Sequence, residues 1–180
     1  NFRKNFIQKT KRIRIIMKLI LTILLSISLT SCGIYSFTGA SIPTEAKTIS
    51  VDYFSNKAAT VQPSLSQVFT ERLKDMFLEQ TNLTLSENES DLSFSGYISK
   101  YQIKPMAIKA NETAGQNRLT IAVKVTYNNS LDSENNFEHT FSRYRDYDSA
   151  QNISDIENTL IEEITNELAE DVFNKAFVNW

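Results

Sequence analysis

A single cysteine, a single histidine and a few isolated cations are what this chain of 180 residues brings to chemistry. Cys32 closes the sequence Leu29-Thr30-Ser31-Cys32, directly behind an uncharged, largely apolar run from Leu19 to Leu29 that itself follows Met17-Lys18. Such a run is about half the roughly 20 residues a helix needs to cross a bilayer. It reads as the apolar centre of a secretory signal, with small residues before the cut. The pattern resembles the bacterial lipobox, whose cysteine becomes the acylated first residue of the mature chain. Lipidation is therefore the chemistry expected at Cys32, and acylation would block its thiol as nucleophile or ligand.

Little else points to a reaction. His139 falls on the Phe137/Phe141 side of an expected strand, where a satisfied core or rim histidine is the simpler reading than a catalytic base. No Gly-rich phosphate loop, HExxH or Cys/His metal spacing occurs. Carboxylates such as Glu162 and Glu163 are adjacent on an expected helix and cannot face one substrate together. The expectation is a non-enzyme with no metal and no cofactor beyond acyl chains on Cys32. Asp148-Ser149-Ala150 resembles the short O-glycosylation acceptor of exported Bacteroidetes proteins, and equally suits a plain loop before a helix.

Charge divides the chain. Arg3, Lys4, Lys9, Lys11, Arg12, Arg14 and Lys18 all precede Cys32, and no acid does. Met17-Lys18 with the apolar run already makes a short signal, so translation is expected to start at Met17, with residues 1–31 outside the folded part. From Cys32 onward 12 basic residues face 21 acidic ones, a net charge of −9 against −2 for the whole chain. An acidic body is poorly suited to nucleic acid, which is held by Lys and Arg on phosphates. It would also be repelled by an anionic bilayer, so two or more acyl chains would have to do the anchoring. About 150 residues bury roughly 68–70% of their unfolded surface, enough for one core without disulfides.

The expected layout is a lipidated N-terminus and tether at 32–46, then a single domain at 47–180. Ile49, Val51 and Tyr53 alternate with polar residues as in a half-buried strand, followed by a loop from Asn56 to Pro63. Leu65, Val68, Phe69, Leu73, Met76 and Phe77 form a helical stripe that fades near Gln80, with Ser64 and Gln67 as its capping box. Leu92 to Ile103 reads as a second strand, with Gly96 a bulge or bend and Pro105 ending it or confining it to an edge. Met106 to Gln116 reads as a loop. Leu119, Ile121, Val123, Val125 and Tyr127 mark the clearest strand, and Phe137 to Tyr144 pairs back on it after an Asn/Ser/Asp-rich turn. Ser154 and Glu157 would cap a long final helix whose stripe is Ile156, Leu160, Ile161, Ile164, Leu168, Val172 and Phe173. The order predicts an α+β domain, two helices packed on one face of a four-stranded, mostly antiparallel mixed sheet.

The face the helices would leave open is hydroxyl-rich. It is expected to carry Ser93, Ser95, Tyr97, Ser99 and Tyr101, then Arg118, Thr120, Lys124 and Thr126, then Thr140, Ser142 and Tyr144. Such a surface suits a polar wall or an oligosaccharide, or is the ordinary solvated side of an antiparallel sheet.

Several short stretches, in order, resemble the LptE family of lipopolysaccharide-assembly lipoproteins, its Bacteroidetes branch most. They are Cys32-Gly33-Ile34-Tyr35-Ser36-Phe37-Thr38-Gly39, Asn111-Glu112-Thr113-Ala114, Asn117-Arg118-Leu119-Thr120, Phe141-Ser142-Arg143-Tyr144 and Phe177-Val178-Asn179-Trp180. Ile34 stands where the proteobacterial members have an aromatic residue directly after Cys-Gly. The resemblance implies an outer-membrane lipoprotein on the periplasmic side that plugs an LptD-like β-barrel and helps deliver lipopolysaccharide to the outer leaflet. The alternative is a free-standing lipoprotein that binds glycan or another envelope partner. Polar barrel interiors can be plugged, which makes Ser95, Tyr97, Thr120 and Thr140 the expected barrel contacts. Arg118 and Lys124, about 20 Å apart at 3.3 Å per residue, are the candidate lipopolysaccharide contacts. Arg143 and Arg145 are possible additions, unless Asp146 and Asp148 pair with them.

Gly33 stands where an Asp would resemble an inner-membrane retention signal, and no acid precedes Glu45. Cys32→Ser should therefore abolish labelling by radioactive palmitate and release the body from washed outer membranes; label that persists would show that the cysteine is not the acceptor.

Overall fold

The computed structural model describes residues 42–106 and 115–178. Cys32, the signal region 1–31, residues 33–41 of the expected tether, Asn111 to Ala114, Asn179 and Trp180 lie outside the described residues. Among the described residues six strands and two α-helices follow in the order β1 (Thr48–Val51), β2 (Ser55–Asn56), α1 (Leu65–Gln80), β3 (Thr84–Leu85), β4 (Leu92–Met106), β5 (Gln116–Asn129), β6 (Phe137–Asp148) and α2 (Ile153–Phe177). They build one mixed sheet of order β3-β1-β4-β5-β6, with β2 paired to β4 alongside β1. β1 runs parallel to β3 and β4, and β2 runs parallel to β4; the β4–β5 and β5–β6 ladders are antiparallel.

The α+β class is the one expected, with two short strands added to the anticipated four. β2 and β3 contain two residues each, too few for alternation to register. Only pairing across space creates them: Ser55 opposite Tyr97, and Thr84 opposite Thr48. Phe54 and Leu83, one residue before each, are buried in the core for the same reason.

Alternation in β5 sets the layers. Leu119, Ile121, Val123, Val125 and Tyr127 are all buried, while Arg118, Thr120, Lys124 and Thr126 point to the other side. Both helices cover the apolar side. α1 buries Leu65, Phe69, Leu73, Met76 and Phe77, and α2 buries Leu160, Ile161, Ile164, Leu168, Val172, Phe173 and Phe177. The seam between helices and sheet is aromatic: Phe94 lies 4.5 Å from Phe77 and 4.7 Å from Tyr127, ring centre to ring centre, and Phe177 closes on Phe77 at 5.7 Å. Each such side chain, fully buried, contributes about 1.5–3 kcal/mol.

The helix starts differ from the expected capping boxes. α1 begins without a side-chain cap: the Ser64 amide and hydroxyl both donate to Gln62 Oε1. At α2 the cap is Asn152, whose Oδ1 accepts from the Ser154 amide at 3.3 Å. Glu157 is drawn instead to the buried Tyr101, whose hydroxyl donates to it, and Gln62 Nε2 donates to its other oxygen at 3.4 Å. A tertiary partner outcompeted the local cap.

Gly96 and Ser99 shape β4. The bulge sits between Ile98 and Lys100, not at Gly96. Gly96 instead has φ +155°, and a Cβ there would lie 2.0 Å from the Lys124 carbonyl oxygen and 2.7 Å from the Phe54 ring. Both clash and backbone strain then oppose any side chain. Gly96→Ala should lower the folding free energy by about 3 kcal/mol, read as a reduced midpoint in urea denaturation followed by circular dichroism; an unchanged midpoint would show that this close approach is not required.

Candidate functional site

The bulge decides which side chains reach the uncovered sheet face. Leu92, Phe94, Gly96 and Ile98 face the helices; after the extra residue Ser99 the parity switches, so Tyr101 and Ile103 face them too. Tyr101 is accordingly buried under α2 and not on the open face where alternation had placed it. In its stead Lys100, Gln102 and Lys104 are exposed on that face, residues that unbroken alternation assigns to the core side. Only a register shift could reveal them, and one sequence does not mark it.

Row by row, the open face reads Ser95-Thr126-Glu138, Tyr97-Lys124-Thr140, Lys100-Ala122-Ser142, Gln102-Thr120-Tyr144 and Lys104-Arg118-Asp146 across β4, β5 and β6. The structure thus brings Ser95, Tyr97, Thr120 and Thr140 onto one surface together with Arg118 and Lys124. Apart from Met106 at the far end, its large side chains are polar or tyrosine.

The cations on this face are not equivalent. Arg118 donates from Nε and Nη2 to the two Asp146 oxygens, both at 2.7 Å, and its guanidinium lies 3.6 Å from the centre of the Tyr144 ring. That bidentate pair holds the Asp146 carboxyl below its ordinary range. Lys124 pairs with Glu138 at 2.7 Å, diagonally across β5 and β6. Lys57 lies over the Tyr97 ring at 4.5 Å. Among the described residues, Lys100 and Lys104 meet no carboxylate within ion-pair distance.

Arg143 and Arg145 go elsewhere. Both stand opposite inward-facing residues of β5, Ile121 and Leu119, and so emerge on the helix side. Arg143 donates from Nε and Nη2 to Asp171 at 2.6 Å, and Arg145 spans Glu163 and Glu167 at 2.8 and 2.6 Å. The carboxylates that claim them belong to α2, not to Asp146 or Asp148. The two arginines are not brought together with Arg118 and Lys124. His139 also emerges on the helix side, exposed at the rim, with its ring 4.7 Å from that of Phe141 in an edge contact. Ser149 is exposed in the turn after β6, where its amide donates to the Gly115 carbonyl at 3.0 Å.

At the opposite end of the face is a polar cleft of about 510 Å³ lined by Thr48, Ser50, Ser90, Asp91, Ser93 and Ser130. Its groups are largely engaged with one another. Asp91 Oδ2 accepts from the amides of Lys47 and Thr48 and from the Thr48 hydroxyl at 2.8–2.9 Å, and Ser50 Oγ lies 2.8 Å from Ser90 Oγ. The backbone amide of Lys47, then that of Thr48, holds the Asp91 carboxyl below its ordinary value. This is a clasp that seats β1 beside β4. Among the described residues no group of three or more His, Cys, Asp or Glu side chains is placed to hold a metal ion, and no helix is long and apolar enough to cross a membrane.

Comparison with known proteins adds a family and a fold. A family model described as LptE, lipopolysaccharide-assembly, matches residues 46–176. No curated protein sequence matches the chain. Among solved structures, hypothetical protein CT253 from Chlamydia trachomatis is similar at 8% identity with a TM-score of 0.51, covering 74% of this chain and 99% of that one. A minor lipoprotein from Acinetobacter baumannii is 15% identical, with 72% and 91% covered and a TM-score of 0.49. Rare lipoprotein B from Shewanella oneidensis is 14% identical, with 71% and 92% covered and a TM-score of 0.42. At such identities the likeness reaches the fold and no further, and of these three the Chlamydia protein alone exceeds 0.5.

The clasp and the ion pairs give an acid limb to stability. Asp91, Asp146 and Glu167 are each held below their ordinary values of 3.8, 3.8 and 4.5. Their contribution is complete above those values and is lost as pH falls through the lower folded-state values. Melting temperature should therefore stay level above about pH 5 and drop below about pH 4, and Asp91→Asn should flatten that drop in thermal denaturation across pH 3–7. A variant whose acid limb matches the parent would show that Asp91 does not couple to folding.

Proposed function

The chain belongs to the LptE family of lipopolysaccharide-assembly proteins, and from that premise we propose that it serves as a lipid-anchored, non-catalytic subunit that plugs an LptD-like β-barrel in the outer membrane. Acyl chains on Cys32 hold it at the periplasmic side, and the pair delivers lipopolysaccharide to the outer leaflet. One observation carries this reading: among the described residues an extended sheet is covered on one side only, and its other side is almost wholly hydroxyl, amide, tyrosine and charged groups. A barrel lumen is polar, and a rigid polar wall can meet it without exposing apolar surface. Two helices packed on the far side hold that wall in place.

The same face supports a role in holding the lipid's anionic head. The body is acidic overall, yet Lys100, Lys104, Arg118 and Lys124 converge on one surface next to neutral hydroxyls. Phosphate oxygens accept charge-assisted hydrogen bonds from such groups. Arg118 and Lys124 would exchange carboxylate partners for phosphate, an exchange with small net cost because exposed ion pairs are worth about 0–1 kcal/mol. Among the described residues Lys100 and Lys104 have no such partner to give up. Arg143 and Arg145 lie on the helix side of the sheet, away from this face.

Photocrosslinkers at Ser95, Tyr97, Thr120 and Thr140 should each capture one large outer-membrane protein in cells; crosslinks confined to the helices, or none, would favour a free-standing lipoprotein. For the lipid, Arg118→Ala/Lys124→Ala and Lys100→Ala/Lys104→Ala should each weaken binding of purified lipopolysaccharide several-fold while circular dichroism stays native. Unchanged affinity in both folded variants would remove the cations from the lipid site.

A further inference from the structure

The sheet also offers a surface made of backbone. Its exposed edges differ sharply in how well they are blunted. β3 is two residues long. The free side of β4 beyond Ile98 has Pro105 at an outward-facing position, where it presents no N–H, and exposed Lys100 and Lys104 beside it. β6 is long and carries charges of both signs, Glu138, Arg143, Arg145, Asp146 and Asp148, but nothing that removes a ladder group. It forms twelve consecutive register pairs with β5 and contains no bulge, proline or lysine.

The ladder shows which of its groups are open. The Ser149 amide donates to the Gly115 carbonyl, so odd-numbered residues of β6 turn their backbone groups toward β5 and even-numbered ones turn outward. Among the described residues no strand lies beyond β6. The carbonyl of Tyr144 is taken by Arg145 Nη1 at 3.0 Å. Among the described residues, the outward amides and carbonyls of Glu138, Thr140 and Ser142 meet no partner.

Charge says what kind of chain. The α2 flank beside β6 carries Glu163, Glu167, Glu170 and Asp171, and among the described residues Arg143 and Arg145 pair with three of them. A strand laid along β6 would place alternate side chains beside Glu138, Asp146 and Asp148 on the open face, and the others beside His139, Arg143 and Arg145 on the helix side, with the α2 carboxylates beyond them. Lysine or arginine suits the first set and small polar residues the second. A second copy of this chain would bring its own acidic flank to the same place, so repulsion opposes it. We propose that the outer edge of β6 takes up an extended, basic polypeptide segment by strand addition. This interaction uses the sheet edge rather than its face and does not depend on the lipopolysaccharide reading.

The test uses the full-length lipoprotein in detergent and two fluorescent peptides, Lys-Thr-Lys-Thr-Lys-Thr-Lys-Thr and the same sequence with glutamate for lysine. The lysine peptide should bind in fluorescence anisotropy and should slow hydrogen exchange at the amides of Thr140 and Ser142 while leaving that of Phe141 unchanged. Alternate protection of this kind is produced by strand pairing and not by simple charge attraction. Ser142→Pro should weaken binding at least tenfold. Glu170→Lys, an exposed helix position that does not touch the ladder, should weaken it several-fold without affecting the fold. Absence of binding, equal affinity for the glutamate peptide, or protection without alternation would overturn the proposal.

Discussion

The structure depends on the two-sidedness of β5. A strand in the middle of a sheet shares its register with both neighbours, so its alternation is imposed on β4 and β6 as well. Burying Leu119, Ile121, Val123, Val125 and Tyr127 on one side requires a cover there, and α1 and α2 supply it. Among the described residues, Ala122 and Met106 offer too little apolar surface on the other side to recruit a second layer. The bare polar face is therefore a consequence of how the core is made, and any function assigned to it exploits a surface the fold already has to present.

Electrostatics follows the same parity. The cations of β5 and β6 divide by the side from which they emerge, and the division separates their fates. Arg143 and Arg145 emerge among the helices and are absorbed by Glu163, Glu167 and Asp171 of α2. Arg118 and Lys124 emerge on the open face with a carboxylate and, for Arg118, a tyrosine ring as company. The long acidic stripe of α2, which by itself reads as a solvated face, works partly as the counter-charge that lets β6 carry two arginines on the covered side.

β4 is where the fold departs from simple alternation, and both departures have a geometric cause. Gly96 permits Phe54 and the β5 backbone to approach more closely than any side chain would allow. Ser99 then adds one residue, which turns Tyr101 inward to meet Glu157 and turns Lys100 and Lys104 outward. A single inserted residue thus ties the sheet to the start of α2 and places two lysines on the polar face.

Much of this was legible from the chain alone. The alternation of β5, the stripes of α1 and α2 and the parity of Arg118, Thr120, Lys124 and Thr140 all arise from spacing within one segment, because a local period needs no knowledge of its partner. What only the tertiary structure decided involves partners distant in sequence. β2 and β3 exist because β4 and β1 lie beside them, and Phe54 is core because Gly96 leaves room for it. Glu157 leaves its helix cap because Tyr101, 56 residues away, offers a buried hydroxyl. The allegiance of Arg143 and Arg145 could not be read from the neighbouring Asp146 and Asp148, since adjacent residues of a strand point to opposite faces and the carboxylates in reach belong to a helix.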